Sequence, residues 1–168
     1  MRPVDWSRVK AIAFDFDGVF TDDRVWVSQT GEESVACSRS DGMGIGLLRQ
    51  AGVQMIIISK EPNPVVSARA RKLALEVIQG CDDKLPEFSR WLKRIGVSVE
   101  HSAFMGNDIN DLECLQHAAV AIAPADAHPT ALAVADYITQ KSGGNGAIRE
   151  VADILGAALL VQRSASPS

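Results

Sequence analysis

The chain has 168 residues, with 17 basic and 21 acidic side chains and a formal net charge of −4. That size accommodates one domain with a substantial core, and the charge balance leaves no basic footprint for nucleic acid or an anionic membrane surface. Three cysteines without a CxxC pair argue against a disulfide framework or a thiolate zinc site and suit a reduced, cytoplasmic setting.

Residues 1–10 contain no long apolar run, so neither a signal peptide nor a spanning helix is expected there. The first apolar run, 11–14, is too short for a helix and reads as a buried strand. Residues 24–27 and 32–38 around Ser28-Gln29-Thr30-Gly31 read as a β-hairpin. A helix is expected over 44–50, a strand over 55–58, and a helix over 64–75 begun by Asn63 with Pro64 in its first turn. Further helices are expected over 83–95, 109–118 and 147–160, and strands over 103–105 and 120–123. Between Ser59 and Lys84 only one helix and a short strand fit. Residues 163–168, rich in serine, have too little apolar surface to pack and read as a frayed tail. Short apolar runs alternating with longer amphipathic ones predict an α/β protein: a Rossmann-like parallel sheet with helices on both faces and a hairpin flap, in one domain over 1–162.

Most candidate chemical groups fall where one of these strands ends. Asp15 and Asp17 stand two apart at the end of the first run, so both carboxylates reach one side. In an open parallel sheet that side is the crevice beyond the carboxyl ends of the strands. Two carboxylates this close require a cation or a shared proton, which implies a hard metal or split acid and base roles. Either aspartate could instead cap local amides. Ser59 follows the 55–58 strand, where a hydroxyl and nearby amides can hold a phosphate oxygen. Lys84 opens a predicted helix, an end that favours anions. That place suits a lysine drawn to a buried anion, although a solvated surface lysine would also fit. Asn107, Asp108 and Asp111, in Gly106-Asn107-Asp108-Ile109-Asn110-Asp111, supply hard oxygen ligands suited to Mg²⁺, and Asp108 or Asn107 is also expected to cap the next helix.

In order and spacing, Asp15-Phe16-Asp17-Gly18-Val19-Phe20-Thr21-Asp22, Ser59, Lys84 and the 106–111 segment resemble the four motifs of the haloacid dehalogenase superfamily. The resemblance implies that Asp15 is a nucleophile and Asp17 the acid/base. It also implies that Ser59 and Lys84 hold phosphoryl oxygens, and that Mg²⁺ sits among Asp15, Asp17, Asn107, Asp108 and Asp111. The intervals between motifs leave no room for a cap domain, so closure of the site falls to the hairpin and to neighbouring subunits, and an oligomer is expected.

Over nearly its whole length the chain is similar to the tetrameric 3-deoxy-manno-octulosonate 8-phosphate phosphatases, their nonulosonate 9-phosphate relatives, and the C-terminal domain of acylneuraminate cytidylyltransferases. The matching stretches are Ser40-Asp41-Gly42-Met43-Gly44-Ile45, Pro124-Ala125-Asp126-Ala127-His128-Pro129 and Gly143-Gly144-Asn145-Gly146-Ala147-Ile148-Arg149-Glu150. The resemblance implies a homotetramer and a sugar phosphate substrate. Glu61, Arg69 and Lys72 resemble the substrate-binding residues of the nine-carbon branch. Asn107 stands where an aspartate is usual, which keeps open a second reading: a catalytically weak oligomerisation module associated with a CMP-sialic acid synthetase.

Overall fold

The computed structural model describes residues 4–165. In chain order these form β1 (Ala11–Phe14), a hairpin of β2 (Trp26–Val27) and β3 (Glu33–Ser34), α1 (Arg39–Gln50), β4 (Gln54–Ile58), α2 (Val65–Lys72) and β5 (Glu76–Ile78). There follow α3 (Lys84–Ile95), β6 (Ser102–Met105), α4 (Leu112–His117), β7 (Val120–Ala123), α5 (Pro129–Val134), β8 (Tyr137–Ile138) and α6 (Ala147–Ala165). Among the described residues six strands make one sheet in the order β5-β4-β1-β6-β7-β8, and every pairing in it is parallel. The chain runs from β1 outward to β5, then returns to the opposite side of β1 with β6. That reversal opens a crevice at the carboxyl end of β1.

Strand alternation divides the core into two layers. Ile12, Phe14, Ile57, Met105 and Ile122 meet Ile45 and Leu48 of α1, Val66 of α2 and Val151 and Leu155 of α6. Ala11, Ala13, Ile56, Ile58 and Phe104 face Phe88, Trp91 and Leu92 of α3 and Leu115 of α4. The two alanines of β1 leave space for rings, and Phe88 and Phe104 meet edge-on there with centroids 5.4 Å apart, a favoured aromatic geometry.

The structure bears out the fold class and adjusts its boundaries. Helix α1 begins at Arg39, with Ser38 accepting from the Asp41 amide at 3.3 Å, well before residue 44, because Gly42, Gly44 and Gly46 weaken the helical signal. β5 is the short strand expected between Ser59 and Lys84, whereas α5 and β8 carry no clear sequence pattern. The hairpin strands shrink to two residues each, since the ribbon gains no third strand and stays exposed. Helix α6 runs through Ala165, three residues into the stretch read as a tail, because extending an established helix adds a hydrogen bond per residue without a new nucleation cost; residues 166–168 lie outside the described residues. The loop and hairpin span β1 to α1, and α2 with β5 span β4 to α3, with no cap domain between. No helix among the described residues is long and apolar enough to cross a membrane.

Candidate active site

Asp15 continues β1 by one residue, its amide donating to the Met105 carbonyl at 2.9 Å. Ser59 does the same for β4 with the Ile78 carbonyl at 2.8 Å, and Gly106 for β6 with Ile122 at 3.1 Å. Three neighbouring strand ends therefore converge. Lys84, the first residue of α3, turns inward and is 3% exposed. Its Nζ lies 2.7 Å from Asp15 Oδ1 and 2.7 Å from Asp111 Oδ1. Asp15 Oδ1 also accepts from the Phe16 amide at 2.7 Å. Asp111 Oδ2 accepts from the amides of Asn107 at 2.9 Å and Asp108 at 3.3 Å, which folds the 106–111 loop around the lysine.

Burial, then the Asp111 charge, push Asp15 above the usual carboxylate range, against the pull of Lys84. For Lys84 burial acts downward, but the two carboxylates outweigh it and hold the ammonium form. Asp17, half-buried in the cleft, is pushed up to about 6 by burial and by the charges of Glu61 and Asp23. One lysine thus stands against Asp15, Asp17 and Asp111, and the site calls for further positive charge.

Asp15, Asp17, Ser59, Glu61, Asn107 and Asp108 line one cleft, with Lys84 beneath it. Asp111, expected as a metal ligand, lies below the cleft with both oxygens engaged; it positions Lys84 and the loop. Neither Arg69 nor Lys72 lines the cleft. Arg69 donates to the Ser38 carbonyl at 2.8 Å, and Lys72 is exposed on α2. Lys60, at the cleft's edge, pairs with Asp82 at 3.4 Å. Sequence reasoning missed Asp23 and Asn110, which also line the cleft. Asp23 has φ +62°, in a turn where Thr21 Oγ1 accepts from the Gly18 and Asp23 amides at 3.1 and 3.2 Å, and the Thr21-Asp22-Asp23 run was its only signal. Gly18, with φ +71°, has no room for a side chain: a Cβ there would lie 1.9 Å from Asn107 Nδ2.

The Asn107 amide oxygen lies 2.9 Å from the Asp17 carbonyl and 3.3 Å from Asp15 Oδ2. Three acceptors facing one another repel unless a donor or a cation intervenes. The amide turned over would donate to both oxygens. A Mg²⁺ at 2.0–2.1 Å from each octahedral ligand holds adjacent oxygens about 2.9 Å apart, which the Asn107–Asp17 spacing matches and the Asp15 spacing exceeds. Among the described residues no trio of His, Cys, Asp or Glu side chains is arranged for a metal; these donors are a carboxylate, a backbone carbonyl and an amide, the hard oxygens Mg²⁺ prefers.

Residues 54–151 match the family model for haloacid dehalogenase-like hydrolases. The 3-deoxy-D-manno-octulosonate 8-phosphate phosphatase of Escherichia coli is 33% identical over 150 residues, covering 89% of this chain and 80% of that one. The corresponding phosphatase of Moraxella catarrhalis, solved with a magnesium ion, a phosphate ion and a KDO molecule, is 33% identical with a TM-score of 0.89, covering 96% of this chain and 95% of that one. A HAD-family protein of Streptomyces avermitilis is 43% identical with a TM-score of 0.87, covering 94% and 96%. The convergence of strand ends on Asp15, Lys84 and the Asn107 loop is thus set in a chain whose sequence and backbone both follow one family, and the chain belongs to the haloacid dehalogenase-like hydrolases.

Proposed function

We propose that the chain is a magnesium-dependent phosphatase that hydrolyses the phosphate monoester of a keto-deoxy sugar acid. The observation that carries this reading is the Asp15 carboxylate held between Lys84 and the oxygen cluster of Asn107 and the Asp17 carbonyl, with a titratable Asp17 beside it. Asp15 Oδ2, the Asp17 carbonyl and the Asn107 amide would hold Mg²⁺, with Asp108 at the rim; when bound, the metal neutralises phosphoryl charge. Asp15 attacks phosphorus while Asp17 gives its proton to the departing sugar oxygen, leaving an aspartyl-phosphate and the free sugar. Asp17, now ionised, takes a proton from water, whose oxygen attacks phosphorus and releases phosphate from Asp15. A carboxyl near pH 6 suits both halves of this cycle. Lys84 and Ser59 steady the phosphoryl oxygens.

The substrate class rests on the relatives, which are named for octulosonate 8-phosphate. Glu61, at the cleft, favours the nonulosonate 9-phosphate branch. Because Asp23, Glu61 and Asp108 would repel a substrate carboxylate, the acid end of the sugar points outward, toward cations of a neighbouring copy. Lys72, exposed on α2, and Arg69 beside it are the candidates. Exposed Val25, Trp26 and Val27 on the hairpin favour an oligomer, a tetramer in this reading. Phosphate release from a panel containing both sugar phosphates tests the proposal. Turnover that needs Mg²⁺ and falls by about 1000-fold or more in Asp15→Asn is expected, and Asp15-independent release would refute it.

A further inference from the structure

The glycine-rich stretch Gly143-Gly144-Asn145-Gly146 has no part in the chemistry, yet its backbone is pressed against the loop that follows Asp15. A Cβ on Gly143 would lie 1.9 Å from the Gly18 carbonyl oxygen and 3.0 Å from that of Thr21. The Gly144 amide donates to the Val19 carbonyl at 3.0 Å. The peptide that joins Asp17 to Gly18 is planar. Its oxygen faces Asn107 and its N–H is held by Thr21 Oγ1. The stretch therefore packs on the Gly18 carbonyl, one peptide further along, and on Thr21, whose hydroxyl holds the N–H of the peptide whose carbonyl belongs to the oxygen cluster.

Carboxylates from three other places fix the same stretch. Glu150 of α6 accepts from the amides of Gln140 at 2.9 Å and Lys141 at 3.1 Å. Asp126 accepts from the Gly143 amide at 2.9 Å. Asp41, wholly buried in the first turn of α1, accepts from the Gly146 amide at 3.2 Å and the Arg149 amide at 2.9 Å. Asp41 thereby satisfies orphan amides at the start of α6, from a different helix. A buried carboxylate is costly unless bonded, and both Asp41 oxygens are engaged where this stretch enters α6.

We propose that residues 140–146 are a rigid strap that sets the orientation of the Asp17–Gly18 peptide, and that Asp41 is its anchor and a positioning residue for the reaction. The proposal rests on the phosphatase reading for its kinetic consequence, but its structural content is the geometry of the oxygen cluster. Displacement of the strap shifts Thr21, whose hydroxyl holds the Gly18 N–H, and the planar Asp17–Gly18 unit then carries the Asp17 carbonyl away from Asn107 and Asp15. A metal would be held less tightly by that carbonyl, while Ser59 at the end of β4 and Lys84 at the start of α3 stay in place.

Gly143→Ala and Asp41→Asn test this, with Mg²⁺ alone titrated calorimetrically beside steady-state kinetics and thermal melts. Folded Gly143→Ala is expected to raise the Mg²⁺ dissociation constant by about tenfold or more and to lower kcat with little change in KM. Asp41→Asn keeps the side-chain shape and one acceptor, so a rise of about threefold is expected. A merely structural role would lower the melting temperature and leave Mg²⁺ affinity at the wild-type value. The strap is overturned if both folded variants bind Mg²⁺ within about twofold of wild type, and Asp41 loses its anchoring role if Asp41→Asn alone does. Should Gly143→Ala fail to fold, Asp41→Asn decides. Because the calorimetric result needs no substrate, it stands even if wild type hydrolyses no phosphomonoester, an outcome that would instead sink the phosphatase reading.

Discussion

Lys84 shows how one side chain can serve structure and chemistry together. Buried between Asp15 and Asp111 at 2.7 Å from each, it neutralises two carboxylates that are almost wholly buried. Lys84→Met removes the charge while keeping the stem, so Asp15 and Asp111 face each other uncompensated. We expect a loss of about 3–5 kcal/mol of stability, measured by urea denaturation in EDTA, together with loss of phosphate release. Asp17 carries the opposite strain. Its folded-state value, about 6, lies above the roughly 3.9 of an unfolded aspartate. The ionised form is therefore disfavoured in the fold: the penalty is absent below pH 4, grows between 4 and 6, and is complete above 6. Asp17→Asn is expected to raise the melting temperature of the metal-free protein at pH 7.5, by about 1 kcal/mol in stability after screening by the open cleft, and the gain should vanish near pH 4; a gain independent of pH would contradict the assignment. Asp15, Asp17, Ser59 and Asn107 were legible in the sequence because strand ends fix where their side chains go. The partnership of Asp111 with Lys84 was not, since nothing in a linear sequence pairs residues 84 and 111. Arg69 and Lys72 were legible as one face of a helix, but not the direction in which that face points.

At the scale of elements, legibility followed length and burial. β1, β4, β6 and β7 announce themselves as apolar runs because both faces of a central parallel strand are covered. β8, two residues long and half-buried at the sheet edge, carries no such run. Helix α3 was found intact because its apolar face is broad and Gly96 ends it in the left-handed conformation, φ +69°. That helix packs Phe88 over the two alanines of β1, so the nucleophile's strand depends on it. Phe88→Ala should cost about 3–5 kcal/mol, detectable as a drop in the denaturation midpoint at unchanged slope. A second element, the hairpin, is tied to α2 by the Asn63 amide, which donates to Glu33 at 2.9 Å. The same Asn63 donates its backbone N–H to Glu61 at 2.7 Å, which sets the flap beside the Glu61 turn.

For the whole molecule, the fold class followed from alternation of runs, whereas assembly leaves only indirect marks in one chain. Trp26 is 73% exposed between Val25 and Val27, a costly place for a large ring unless another surface covers it. Light scattering is expected to show an oligomer, and Trp26→Glu a smaller species; a monomeric wild type at micromolar concentration would rule out a site completed between copies. The central claim, however, is that Asp15 is a nucleophile served by Lys84 and Mg²⁺. The most direct measurement is the mass of the protein quenched during turnover of a keto-deoxy sugar acid phosphate with Mg²⁺. A phosphoryl adduct on Asp15, absent from Asp15→Asn and from protein stripped of metal, is the expected result. Steady hydrolysis that survives Asp15→Asn would contradict the account.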